Sequence, residues 1–175
     1  MRIFFLLGAM AFSSFSFAQS WTPTAARTAF TAKMFGVKVA GTFTGFKGNI
    51  TFDPANPGQS HISGSVEAAT VDTGNSLRDG HLREKEDFFQ ASKYPRISLK
   101  STKIEKTGSG FLGTFDFTLK NVTRSLKIPF TFQSFGSKAL LEGSVKLDRT
   151  DWNFGGNTLG MSDDVQLDLK VTLKQ

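Results

Sequence analysis

From Gln19 onward, apolar and polar residues alternate with a period of two almost everywhere, the pattern of strands that bury one face. Ala26, Thr28, Phe30, Ala32 and Met34 share one face of the first run, with Arg27 and Lys33 on the other. Val37, Val39, Gly41 and Phe43 continue the habit, and Phe46, Gly48, Ile50 and Phe52 resume it one residue out of phase. The slip falls at Gly45, where a bulge or sharp bend is least costly. Asp53 to Gly58 has the composition of a turn. Further inward sets run through Ile62, Gly64 and Val66, through Ile97 and Leu99, and through Phe111, Gly113, Phe115, Phe117 and Leu119. Leu126, Ile128, Phe130 and Phe132 follow, then Leu141, Gly143, Val145 and Leu147, and finally Val165 to Leu173. Thr150 to Asp164 is the longest irregular piece.

The alternation is interrupted once, by a charged segment with the marks of a helix from about Leu77 to Ala91. Ser76 and Asp79 have the spacing of a capping box, and Leu82 and Phe89, seven apart, would share a helical face. Pro95 forces Tyr94 into extended backbone and ends any helix there.

About eight strands, each apolar on one side, imply an antiparallel sheet with one buried face. Closing the sheet buries that face and removes the edges, so the predicted class is all-β, an eight-stranded antiparallel barrel with one short helix. A two-sheet sandwich satisfies the same alternation. Eight strands enclose room for packed side chains or for one small ligand. Glycines at inward positions (Gly41, Gly64, Gly113, Gly143) either leave space beside the phenylalanines or let the sheet coil, and periodicity does not separate these.

Residues 1 to 18 read as a secretory leader, with Arg2, the apolar run Ile3 to Phe12 and the small-x-small site Ser16-Phe17-Ala18. Its removal would leave a single domain, 19–175, of 157 residues, enough for a real core, and would direct the protein to the periplasm. Fourteen of the 19 phenylalanines lie beyond it, against one tyrosine and two tryptophans, so the core is built to be dry. The net charge of +6 is scattered along strands without a basic run or basic helix, which argues against nucleic-acid binding and leaves at most transient attraction to anionic lipid. With no cysteine, thiol catalysis, disulfide exchange and zinc–thiolate sites are excluded.

Candidate chemistry is sparse. Of the two histidines, His61 falls on an outward phase and His81 beside Asp79 on the helix, without metal-ligand spacing. Glu84, Glu86 and Asp87 read as a solvated face balanced by Arg83 and Lys85. No phosphate loop, nucleophile elbow or dinucleotide fingerprint occurs, so no catalytic or metal-ligating residue is assigned.

Asp72-Thr73-Gly74-Asn75, Arg78-Asp79-Gly80-His81-Leu82-Arg83, Asp87-Phe88-Phe89, Lys93-Tyr94-Pro95 and Ser101-Thr102 follow one another in about 30 residues. Together with Gly113 to Arg124 and Leu147 to Gly155 they resemble the YceI-like family of bacterial periplasmic lipid-binding proteins. The resemblance implies a lipocalin-like barrel that holds a long polyisoprenoid or similar amphiphile, such as a quinone tail or fatty amide. The cavity wall would then draw on Phe30, Phe43, Val66, Phe89, Phe115, Phe117, Leu126, Ile128, Phe130 and Phe132, with Arg78, His81 and Arg149 as head-group contacts at the mouth. The expected ligand is an apolar lipid and no other cofactor; pairing with a second copy stays open. So do two alternatives: an enzyme acting on an isoprenoid or quinone in the same pocket, and a stress-induced structural protein with a solid core. The chain departs from the family pattern at Met34, where the family usually has a histidine, and at Asn121, where it has a glycine.

Overall fold

The computed structural model describes residues 19–175; the leader expected at 1–18 lies outside the described residues. Nine strands form one sheet: β1 Ser20–Met34, β2 Val37–Phe43, β3 Lys47–Thr51, β4 His61–Glu67, β5 Arg96–Lys106, β6 Phe111–Leu119, β7 Val122–Phe135, β8 Lys138–Asp148 and β9 Asp164–Lys174. Every neighbouring pair is antiparallel, and β1 pairs with β9 to close the barrel. The nine strands make eight staves. One edge of β1 pairs with β2 over Thr28–Met34 and with β3 at Ser20 and Trp21, so β2 and β3 are two halves of one stave. The break between them holds Gly45 at φ +69°, the point of the phase slip, a left-handed conformation that favours glycine.

β1 begins earlier than its alternation suggests. A bulge between Pro23 and Ala25 shifts the phase, so Trp21 faces inward with Thr28 and Phe30 although the parity of their numbers differs. Pro23 removes a ladder donor and is tolerated beside such an irregularity.

The interior has two halves. At one end Phe52 is fully buried, with its ring 4.6 Å from Phe132, 4.9 Å from Phe111 and 5.7 Å from Phe130. Trp21 joins them 5.3 Å from Phe132 and donates its indole N–H to the Phe52 carbonyl at 3.1 Å, while Ile50, Ile104, Leu141 and Leu173 fill the remainder. Each such side chain contributes about 1.5–3 kcal/mol, so this end is a solid plug that fixes the barrel. The other end is capped by α1 (Ser76–Glu84), by the turns after it and by the 150–163 connection, around buried Leu82, Phe89, Trp152 and Phe154.

α1 is shorter than expected and is capped differently. Asn75 is the N-cap, its side chain accepting from the Arg78 N–H, while the Asp79 carboxylate reaches back to the N–H and hydroxyl of Thr73. The helix ends at Glu84 because the chain turns at Lys85; the N–H groups of Phe89 and Ala91 bond back to the carbonyls of Leu82 and Arg83. Leu82 and Phe89 do meet in one cluster, through that turn rather than along a continuous helix.

Candidate ligand cavity

The inward row of β1 (Phe30, Ala32, Met34) faces that of β5 and β6 (Ile97, Leu99, Phe117, Leu119) across a void of about 590 Å³. Val39 and Phe43 from β2, Val66 from β4, and Val165, Leu167 and Leu169 from β9 complete the wall. The roof is Leu77, Arg78, His81 and Leu82 of α1 with Phe88, Phe89, Phe154 and Met161. An aromatic belt runs along this rim: Phe30 to Phe43 at 5.6 Å, Phe43 to Phe89 at 5.4 Å, Phe89 to Phe154 at 4.7 Å and Phe154 to Phe88 at 5.6 Å.

The floor explains the inward glycines. A Cβ built on Gly48 or on Gly64 would come within 2.8 Å of the Phe46 ring, which therefore lies flat across both strands between cavity and plug. Gly41 makes the same room for Phe30, and Gly113 for Phe115. These glycines accommodate rings; the free space is elsewhere, under the helix.

Of the residues expected on the wall, Phe30, Phe43, Val66, Phe89, Phe117 and Ile128 line the void. Phe115, Phe130 and Phe132 do not: they point inward at the level of the plug, Phe115 leaning over Gly113 and the other two packed on Phe52. Leu126 is half-buried between the two clusters and is not part of the wall. Alternation reports which face a side chain takes but not how far along the barrel it sits. The wall residues missed were Ala32, Met34, Val39, Phe46, Leu77, Phe88, Phe154, Met161 and the β9 row. The aromatic pair Phe88-Phe89 and the apolar Phe154 and Met161 within the 150–163 connection were the available signals.

The three head-group candidates separate. Arg78 is half-buried at the rim, its Nε 2.7 Å from the Thr73 hydroxyl and its Nη2 2.9 Å from the Thr73 carbonyl. Thr73 thus bridges Arg78 to buried Asp79, a bracket that fixes the start of α1 against the wall. His81 lies exposed on the same helix and faces the mouth. Arg149 borders the void but is not available to a ligand. Its five N–H groups go to the carbonyls of Ser162, Phe154, Gly156 and Met161 and to the Asp163 carboxylate at 2.9 Å. It organises the 150–163 connection instead. A short 3-10 turn, Arg149–Trp152, starts that connection, and Trp152 anchors it by donating to the Phe117 carbonyl at 3.1 Å.

Among the described residues no three His, Asp or Glu side chains converge, and every buried side-chain polar atom has a partner. The one carboxylate lining the void is Asp87. A wall of this kind, mostly apolar with Arg78, His81, Lys85 and Asp87 at the roof, suits an amphiphile with a chain inside and a head outside.

Fold and cavity together define a small closed antiparallel barrel, half plug and half apolar pocket, roofed by one helix. The chain belongs to the YceI-like family, whose domain model matches residues 20–173. It is 35% identical over 120 residues to the UPF0312 protein of Photorhabdus laumondii, a match covering 65% of this chain and 62% of that relative. Burkholderia cenocepacia BcnA has a similar structure, with a TM-score of 0.80 and 24% identity over 84% of this chain and 95% of that one. A polyisoprenoid binding domain from Saccharophagus degradans, implicated in plant cell wall breakdown, superposes with a TM-score of 0.67 at 16% identity, covering 91% and 99% of the two chains.

Proposed function

We propose that this protein binds one long apolar chain, a polyisoprenoid, quinone tail or fatty-acyl amphiphile, and carries or sequesters it without chemistry. The observation that carries the reading is the void itself: about 590 Å³ of continuous space within an otherwise ring-filled barrel. That volume falls within the usual range of ligand sites, roughly 300–1,000 Å³. The name of the Saccharophagus degradans domain gives the same ligand class for a protein of this fold. The leader expected from the sequence of residues 1–18 supports a periplasmic site of action in this reading.

Transfer of a chain from water yields about 0.8 kcal/mol per CH₂, but a chain drawn from a bilayer was already out of water. Net affinity therefore comes from packing against Phe43, Phe89 and Phe117 and from head-group contacts at Arg78 and His81. Because Phe46 and Ile128 close the floor, the pocket takes one end of a long chain and the remainder, with the head, lies toward the mouth. Mass spectrometry of organic extracts from protein purified out of its native compartment tests this directly. A stoichiometric lipid with a single long tail is expected; protein that emerges empty, and stays empty after incubation with such lipids, would overturn the carrier reading.

A further inference from the structure

Among the described residues five large apolar side chains stand far out in solvent: Phe35, Val37, Leu77, Phe135 and Leu159. Four of them surround the mouth of the cavity. Val37 continues the inward row of β2, paired with Met34 on the wall. Phe35 donates its backbone N–H to the Gly160 carbonyl at 2.7 Å and rests one ring edge on Gly160, next to Leu159. Leu77 is part of the roof. Phe135 sits at the opposite end, on the hairpin between β7 and β8, beside the C-terminal end of β9.

The hairpin carrying the first two residues is unusual in its chemistry. Phe35 and Gly36 form its two-residue tip with φ of +49° and +79°, a type I′ geometry for which asparagine–glycine is the favoured pair. The other tip at this end with two positive φ values, Lys120-Asn121, is polar. A phenylalanine that is 70% exposed in a left-handed conformation breaks the local rules for both backbone and burial. Beyond Thr31, where the regular ladder with β9 ends, the hairpin is held by residues 160–162 through the Met34–Met161 bridge and the Ser162 N–H to the Lys33 carbonyl at 2.9 Å, which sets Leu159 beside its tip.

Charge identifies what this tip meets. Lys33 and Lys38 are paired across the hairpin behind the phenylalanine, and Lys85 lies at the mouth with Arg78 and His81. None of these three ammonium groups is held by an ion pair or hydrogen bond among the described residues. Asp87 is the one carboxylate on the cavity wall, and the exposed Glu84 and Glu86 flank Lys85, so the unopposed positive charge lies chiefly on Lys33 and Lys38. We infer that the mouth docks on an anionic phospholipid surface: Phe35, Val37, Leu77 and Leu159 enter the acyl boundary while Lys33, Lys38 and Lys85 meet the head groups. The cavity then opens into the bilayer, and a tail passes between the two without crossing water. This goes beyond the carrier reading, because docking depends on the rim and not on what fills the pocket.

The test is co-sedimentation of the protein with phosphatidylethanolamine/phosphatidylglycerol vesicles and with phosphatidylcholine vesicles. The variants are Phe35→Asn with Leu159→Ser, and, separately, Phe135→Ser. Phe35→Asn supplies the pair that the turn prefers, so the hairpin keeps its fold, and thermal melts verify this. Wild type is expected to bind the anionic vesicles more tightly than the neutral ones, and less so as salt rises. The double variant should lose on the order of a hundredfold in vesicle binding, since each of the two inserted side chains is worth about a factor of ten. Phe135→Ser should bind like wild type, and all three should keep the same lipid content. Wild type that ignores vesicles, an equal loss in Phe135→Ser, or a dimer that only the double variant dissolves would each overturn the inference. Lipid content reads the cavity and sedimentation reads the rim, so failure of one is distinct from failure of the other.

Discussion

Arg149 is a cation buried to 3% exposure whose charge is met mostly by backbone carbonyls. Its carboxylate partner Asp163 is largely exposed, so the guanidinium's value is geometric: it fastens five points of one connection. Arg149→Ala is expected to cost about 2–4 kcal/mol by stranding those carbonyls, read as a shift in urea midpoint. Arg149→Lys, with three donors and no planar fork, should recover less than half of that. Next to it, the Asp148 carboxyl is held below its ordinary value by the Thr150 hydroxyl first, then by the Thr150 N–H and the Arg149 charge. A value lower in the folded than in the unfolded chain stabilises the fold above the unfolded value, and that contribution is lost as pH falls through the folded one. Thr150→Val should raise the Asp148 titration midpoint and flatten the acid limb of stability, which a carboxyl-carbon NMR titration would follow.

At the scale of elements, the broken stave decides where the pocket ends. The slip at Gly45 turns Phe46 inward, and Gly48 and Gly64 on adjacent strands give its ring a flat seat. Gly64→Ala places a methyl 2.8 Å from that ring, which must then lift toward the void. The expected cost is about 1–3 kcal/mol together with weaker lipid retention. Adding Phe46→Leu, with a smaller and more adaptable side chain, should restore part of both; unchanged retention in Gly64→Ala alone would mean that Phe46 is not the floor. Strand faces and the phase slip at Gly45 were legible because a period of two records faces directly. The helix end was not, since Lys85 to Ala91 is helix-compatible in composition and turns only because Phe89 finds Leu82 and Phe154. The cap differs for a related reason: Asn75, Ser76 and Asp79 are all competent caps, and the local bonds of Asp79 to Thr73 leave Asn75 to accept from Arg78.

For the whole molecule, the division into plug and pocket is what the sequence could not express. Phe115 and Phe117 are identical in type and phase, yet one packs in the plug and the other lines the void. What separates them is height along a tilted barrel, set by strand register and by the Phe46 seat, both products of the closed sheet. The plug supplies stability and the pocket supplies capacity, so the two properties should separate by mutation. Ala32 is the smallest side chain of the β1 inward row and lines the void above the floor. Ala32→Phe directs a ring from the wall toward the void, where it buries further apolar surface. Melting temperature is expected to hold or rise by a few degrees, as for about 1 kcal/mol of gain in a domain of this size, while bound lipid disappears from the extract. The opposite signature belongs to Phe52→Ala in the plug, where about 3–5 kcal/mol is lost and any protein that remains folded keeps its lipid. If Ala32→Phe melted early and retained lipid, the space beside Ala32 would not be the binding site.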